Sequence, residues 1–149
     1  MSRSRRQRGV SALEFALSAG LLFGLFWALI SYTLPLIVLQ SMQRAVTEAA
    51  RVAETVDVGN NNYLTAVQTA AAFELGRQMQ WMPASWISRF NPAPSSTSNI
   101  TLSGTTTLVI TLSIPNYASN PLVPAITIPG LGTIPSLPTT LTAQARIQP

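Results

Sequence analysis

Glu14 stands at the head of a stretch, Phe15 to Met42, that contains no charged residue. A carboxylate at the centre of a bilayer helix costs about 2.5–3.5 kcal/mol on insertion scales, and less near the interface. Glu14 is therefore either solvated at the membrane margin or paired with a cation. The other chemistry-bearing residues are sparse. The chain has no histidine and no cysteine, which removes the commonest general base, thiolate metal sites and disulfides together. The acids beyond residue 9 (Glu14, Glu48, Glu54, Asp57 and Glu74) are too scattered to form a catalytic carboxylate pair. No glycine-rich phosphate loop, Ser/His/Asp set or metal-ligand cluster is present, so no catalytic residue, metal or cofactor is assigned.

Charge is uneven. Charged residues make up 9% of the 149-residue chain and apolar residues 47%, the balance of a protein that spends part of its length in lipid. The formal net charge of +4 comes from Arg3, Arg5, Arg6 and Arg8. The five arginines beyond Gly9 are cancelled by the five acids. The basicity belongs to the N-terminal segment and not to a nucleic-acid surface, and no small-molecule substrate is implied.

The segment FALSAGLLFGLFWALISYTLPLIVL is long enough to cross a bilayer with some tilt. It exceeds the 7–15 apolar residues of a secretory signal peptide. Four arginines precede it, and Arg44 and Arg51 after it are offset by Glu48 and Glu54. The positive-inside rule then puts residues 1–9 in the cytoplasm and those beyond about 42 outside. Gly20 and Gly24 have the small-xxx-small spacing that permits close helix approach, though glycine is also common in membrane helices generally. Trp27 and Tyr32 lie too far inside the run to be read as interface anchors. Pro35 removes a backbone hydrogen bond and predicts a kink.

The string Arg-Arg-Gln-Arg-Gly-Val-Ser-Ala-Leu-Glu-Phe, at residues 5–15, resembles the processing site of type IV pilin-like proteins. Its continuation into Ala-Leu is similar to the TadE-like and TadF-like minor pilins (pseudopilins) of the tight-adherence, or Flp-type, pilus. The close likeness spans residues about 5–35. It implies a bacterial inner-membrane protein whose basic leader, residues 1–9, is cut after Gly9 by a prepilin peptidase. Val10 becomes the new terminus, and Glu14, followed by Phe15, serves assembly by neutralising a neighbouring subunit's terminal amine. Val10 and Glu14 lie one helical turn apart, and glycine, lacking Cβ, lets a peptidase approach the backbone. The resemblance also implies pilus assembly, adhesion and biofilm formation as the function. The implied partners are the peptidase, other pilin and pseudopilin subunits, the inner-membrane assembly platform and the bilayer. A different class of reading is an unprocessed, membrane-tethered extracytoplasmic binding module.

The predicted fold class is α+β: a long N-terminal helix, transmembrane and then protruding, a second helix, and a small antiparallel sheet packed on the helix. The membrane helix is placed at 10–42 and the outer, pilin-like domain at 43–149. Val46, Ala49, Ala50, Ala53 and Val56 form a helical stripe of small residues over about 43–58. Arg44, Glu48 and Arg51 are spaced to pair, Gly59 ends the helix, and Asn60–Asn62 turn the chain. Leu64, Val67, Ala71, Leu75 and Met79 mark a helix over about 63–82, stopped by Pro83. Met79, Met82, Trp81 and Trp86 could form an exposed sticky patch, but such residues are more often core, and that is the reading favoured. Alternation in Leu108, Ile110, Leu112 and Ile114 predicts a hairpin over about 98–115, turning at Gly104–Thr105, and 140–147 predicts a third strand. The Pro/Gly-rich residues 116–139 read as a long loop, with their two Pro-x-x-Pro spacings as surface spacers. Asn99-Ile100-Thr101 matches a glycosylation sequon that carries little weight.

Overall fold

A computed structural model of the chain describes residues 4–57, 59, 61–103, 107–124, 126–128, 132–134 and 136–148. The first helix, α1, runs unbroken over Ser4–Glu54, 51 residues. Within it Thr33, Ser41 and Thr47 donate their hydroxyls to the carbonyls of Leu29, Ile37 and Gln43 at 2.7, 2.9 and 2.8 Å. Pro35 lies inside this helix, on its buried side.

A short connection turns the chain back into α2, Tyr63–Met79. Its first turn closes with Ala66 N–H on the Asn62 carbonyl at 3.0 Å. A short helix, α3, Ala84–Ile87, follows Pro83. The sheet is antiparallel in the order β1-β2-β5, with β1 at Ile100–Ser103, β2 at Thr107–Ile114 and β5 at Leu141–Ile147. The registers pair Ile100 with Ile110 and Ile110 with Ala145. The α+β architecture, its sheet on the long helix, is the expected one.

Buried residues from α1, α2 and the sheet form one cluster. From α1 come Val38, Met42, Ala45, Val46, Ala49 and Ala53, and from α2 Val67, Ala71, Ala72, Leu75 and Met79. The sheet adds Ile100, Leu108, Ile110, Leu112, Ile114, Leu141, Ala143 and Ile147. The facing alanines explain the geometry: small side chains let the helix backbones approach closely, and the β-branched and leucine side chains supply the volume. Val109 is buried as well.

Several boundaries differ from expectation. The alanine-rich part of α1 ends at Glu54, ahead of Gly59, and Gly59 N–H bonds the Asp57 carboxylate at 2.9 Å in the turn. Helix α2 stops at Met79, because the chain must turn before Pro83. Leu64 is exposed, so the buried stripe of α2 starts at Val67. Glu48 pairs with Arg51 at 3.8 Å, and Arg44 forms no ion pair among the described residues. Met79 and Met82 are core, Trp86 is half-buried against it, and Trp81 is exposed. The stretch read as a loop contains a two-stranded hairpin, β3 at Ile126–Ile128 and β4 at Gly132–Ile134, in antiparallel pairing. Its Ile-Thr-Ile and Gly-Thr-Ile strands fit between the prolines, which flank the pairing without removing a donor from it. The turn placed at Gly104–Thr105, together with Asn60, Pro129, Gly130 and Pro135, lies outside the described residues.

Two polar clusters brace the domain. Asn99 is buried, and its amide donates to the carbonyls of Ala93 and Pro94 at 2.6 and 3.2 Å, so the sequon asparagine is occupied inside the fold. Glu74 is buried on α2. It accepts a bidentate pair from Arg77 at 2.8 and 2.7 Å, and a bond from Gln78 at 2.7 Å. The hydrogen bonds from Arg77 hold the Glu74 carboxyl below its ordinary value, against the opposing effect of burial.

Because Ala49 is fully buried between packed elements, Ala49→Leu is expected to lower unfolding stability by about 1–3 kcal/mol through overpacking. Denaturant unfolding of the full chain in detergent measures it. The depressed Glu74 ionisation gives a second expectation. Its stabilisation is complete above the unfolded glutamate value of about 4.3 and is lost as pH falls through the lower folded value. Thermal unfolding of wild type should therefore drop more steeply than that of Glu74→Gln between about pH 5 and pH 3.

Candidate functional site

The residues singled out at the N-terminus all lie on α1. Gly9, Val10, Glu14 and Phe15 fall in its first turns, and their helical placement puts Val10 and Glu14 on one face. Val10 and Phe15 are 66% and 75% exposed, so the α2–sheet domain does not cover this end. A Cβ built at Gly9 would meet nothing within 4 Å. Glu14 is exposed, with no ion-pair partner among the described side chains. Arg5, Arg6 and Arg8 belong to the first turns of α1 by their backbones. Their side chains, and Arg3 entirely, lie outside the described residues.

Exposure divides α1 in two. From Val10 to Phe26 every residue is exposed, including Leu13, Leu17, Leu21, Leu22, Phe23 and Leu25. Trp27 and Ala28 are half-buried, Leu29 and Ile30 are exposed, and Ser31 is buried. From there Pro35, Val38, Met42 and the alanines continue the buried stripe. Water cannot solvate so long an apolar cylinder favourably, whereas lipid can. This helix is long and apolar enough to cross a membrane, with a most apolar window of mean hydropathy 2.1. Gly20 and Gly24 lie on the exposed half, with open space where a Cβ would stand. Phe23 and Trp27 stack at 6.4 Å between ring centroids.

The match to known families begins at this same glycine. Residues 9–51 match the TadE-like protein family. The matched segment takes in Gly9, Val10, Glu14, Phe15 and Pro35 and ends three residues before α1 does. It therefore covers the exposed half of the helix and most of the buried stripe, while α2 and the sheet lie outside it. No curated protein and no solved structure matches the chain.

The exposed face of α1 can serve two ends: solvation by lipid, and contact with other apolar helices. Among the described residues no group of three or more His, Cys, Asp or Glu side chains could hold a metal. One feature escaped sequence reasoning, namely where the apolar run changes partners from lipid to protein. Its only trace is the replacement of bulky residues by Ser31, Pro35 and alanines along one face.

Because the added methyls would meet no outer-domain atom, Gly20→Val and Gly24→Val should change unfolding stability by no more than about 0.5 kcal/mol. Thermal unfolding of the two variants in detergent checks this. A larger loss would mean that this face packs against the chain's own domain.

Proposed function

We propose that the chain is a minor pilin or pseudopilin of a bacterial tight-adherence pilus, a structural subunit and not an enzyme. It is anchored in the inner membrane by α1, with residues 1–9 cytoplasmic and the α2–sheet domain outside. The observation that carries this reading is the TadE-like match over 9–51, on a helix whose first half is apolar and exposed and whose head bears Gly9 and Glu14. A prepilin peptidase cuts between Gly9 and Val10. The freed amine of Val10 and the carboxylate of Glu14 lie one turn apart on one face, where a second subunit's carboxylate or amine can pair with each. Pairing across subunits removes most of the penalty of a lone carboxylate in lipid. The partners in this reading are the peptidase, other pilin and pseudopilin subunits and the inner-membrane assembly platform, with adhesion and biofilm formation as the outcome of assembly. Glycine at position 9 supports cleavage in a second way: it weakens the helix by roughly 1 kcal/mol relative to alanine, which eases the local unwinding a protease needs.

N-terminal sequencing of the membrane-fraction protein, with and without the peptidase, tests the processing step. A chain beginning at Val10 only when the peptidase is present is the expected result. A chain still beginning at Met1 in cells with an active peptidase would favour the unprocessed tethered module. Glu14→Ala is expected to leave membrane insertion and cleavage intact and to abolish pilus assembly; normal piliation of that variant would refute the pairing role.

A further inference from the structure

The only charged residue between Arg77 and Arg146 is Arg89. It lies just beyond α3, where its own backbone and its neighbour hold it. Phe90 is buried in the core, and Arg89 N–H bonds the Trp86 carbonyl at 3.1 Å. The guanidinium reaches the segment after β2, where Nη1 donates to the Asn120 carbonyl at 2.7 Å. Among the described residues Arg89 forms no ion pair, whereas Glu48 pairs with Arg51 and Glu74 with Arg77. Arg89 therefore carries an uncompensated positive charge in a fixed place. With Nη1 engaged, the Nε–Nη2 edge of its fork still has donors to give.

Arg89 borders an open cavity of about 370 Å³, a volume in the range of small-ligand pockets. Ser85 and Ser88 line it from the α3 segment, and Ile114, Asn116 and Asn120 from the end of β2 and the turn beyond. No acid lines it among the described residues. The second segment is anchored like the first. Tyr117 is buried next to Asn116, and the N–H groups of Ser119 and Asn120 bond the Asn116 carbonyl at 3.1 and 3.3 Å. Asn116 has φ 53°, in the left-handed region that asparagine tolerates better than most residues. The hydroxyl of Ser85 and the side-chain amides of Asn116 and Asn120 make no hydrogen bond among the described residues. Ser88 donates its hydroxyl to the Ser85 carbonyl at 3.1 Å and keeps its lone pairs free.

From this geometry we propose that the cavity is a binding site for a carboxylate-bearing sugar, a uronic acid or a chain of them. One guanidinium matches one carboxylate: the free edge of its fork takes both oxygens, and a single charge meets a single charge. A phosphate dianion would leave charge unmet. Around the cation stand hydroxyls and amides that both donate and accept, as sugar hydroxyls require of their partners. A bare carboxylate would leave these groups to water, and an apolar ligand would desolvate them without replacement. The site lies in the α2–sheet domain and needs neither cleavage after Gly9 nor assembly. On the pilin reading it supplies adhesion with a class of ligand.

Titration of the full chain in detergent micelles with glucuronate, followed by backbone amide NMR, tests the site. Shifts are expected at residues 85–89 and 114–120. Glucose, which lacks the carboxylate, and acetate, which lacks the ring, should each bind about tenfold or more weakly. Arg89→Gln should weaken glucuronate by about tenfold or more. Because Arg89 also braces the Asn120 carbonyl, Asn116→Gly is the second variant. Glycine keeps the left-handed backbone there, so the fold is retained, glucuronate binds more weakly and acetate is unaffected. Acetate or inorganic phosphate binding as tightly as glucuronate would overturn the sugar ligand and leave an adventitious ion only. Absence of shifts at these residues, or unchanged binding by Arg89→Gln, would overturn the site itself. The readout is binding and not processing, so this site and the pilin reading fail separately.

Discussion

Everything in this structure depends on one helix that must satisfy two solvents in succession. Along α1 the backbone hydrogen bonds are internal, so the helix itself is indifferent to its surroundings. Its side chains are not. From Val10 to Phe26 they are apolar on every side and exposed on every side, a pattern stable only in lipid or against other helices. From Ser31 onward one face is buried beneath the α2–sheet domain while the other stays exposed, apolar through Tyr32, Leu36 and Ile37 and polar from Arg44, Thr47 and Arg51. A break in this helix would uncouple the outer domain from its anchor.

The outer domain is built to close on a narrow stripe. Ala45, Ala49 and Ala53 contribute little area each, so the contact gains its strength from closeness and from the larger partners opposite: Leu75 and Met79 on α2, and Ile110 and Leu112 on β2. Tyr117 completes the fold beyond the sheet. It is buried, its N–H bonds the Thr139 carbonyl at 2.7 Å, and its hydroxyl accepts from Leu122 N–H at 3.4 Å. Burial pushes its phenol upward, so it stays neutral and serves as a strut. On the proposed function, the two halves of α1 do different work: its head, Gly9 to Glu14, is the site of processing and charge pairing, and its far half is a packed stripe that holds a domain.

The strongest signals in the sequence were those carried by neighbouring residues. The apolar run, the arginines before it, and the spacing of Gly9 and Glu14 can be read without knowing any fold. The alternation of Leu108, Ile110, Leu112 and Ile114 marks a strand with a buried face for the same local reason. The β3–β4 hairpin was hidden because its strands are three residues long and set among prolines, where turn signals outweigh strand signals. Of the four residues read as core or exposed patch, Trp81 is the one left exposed, because hydrophobicity alone does not say which side chains the fold covers.

The sequence alone determined that this chain has a membrane-length helix with a basic head, that a small α+β domain follows it, and that it carries neither histidine nor cysteine. These are properties of composition and of spacing along a few turns. Only the tertiary structure decided where the apolar run stops facing outward and starts serving as core. Lipid and protein interior favour the same residue types, so hydropathy cannot separate them. The return of α2 and β5 onto the face of Val38, Met42 and Ala45 makes the distinction, since burial there depends on residues far away in the chain.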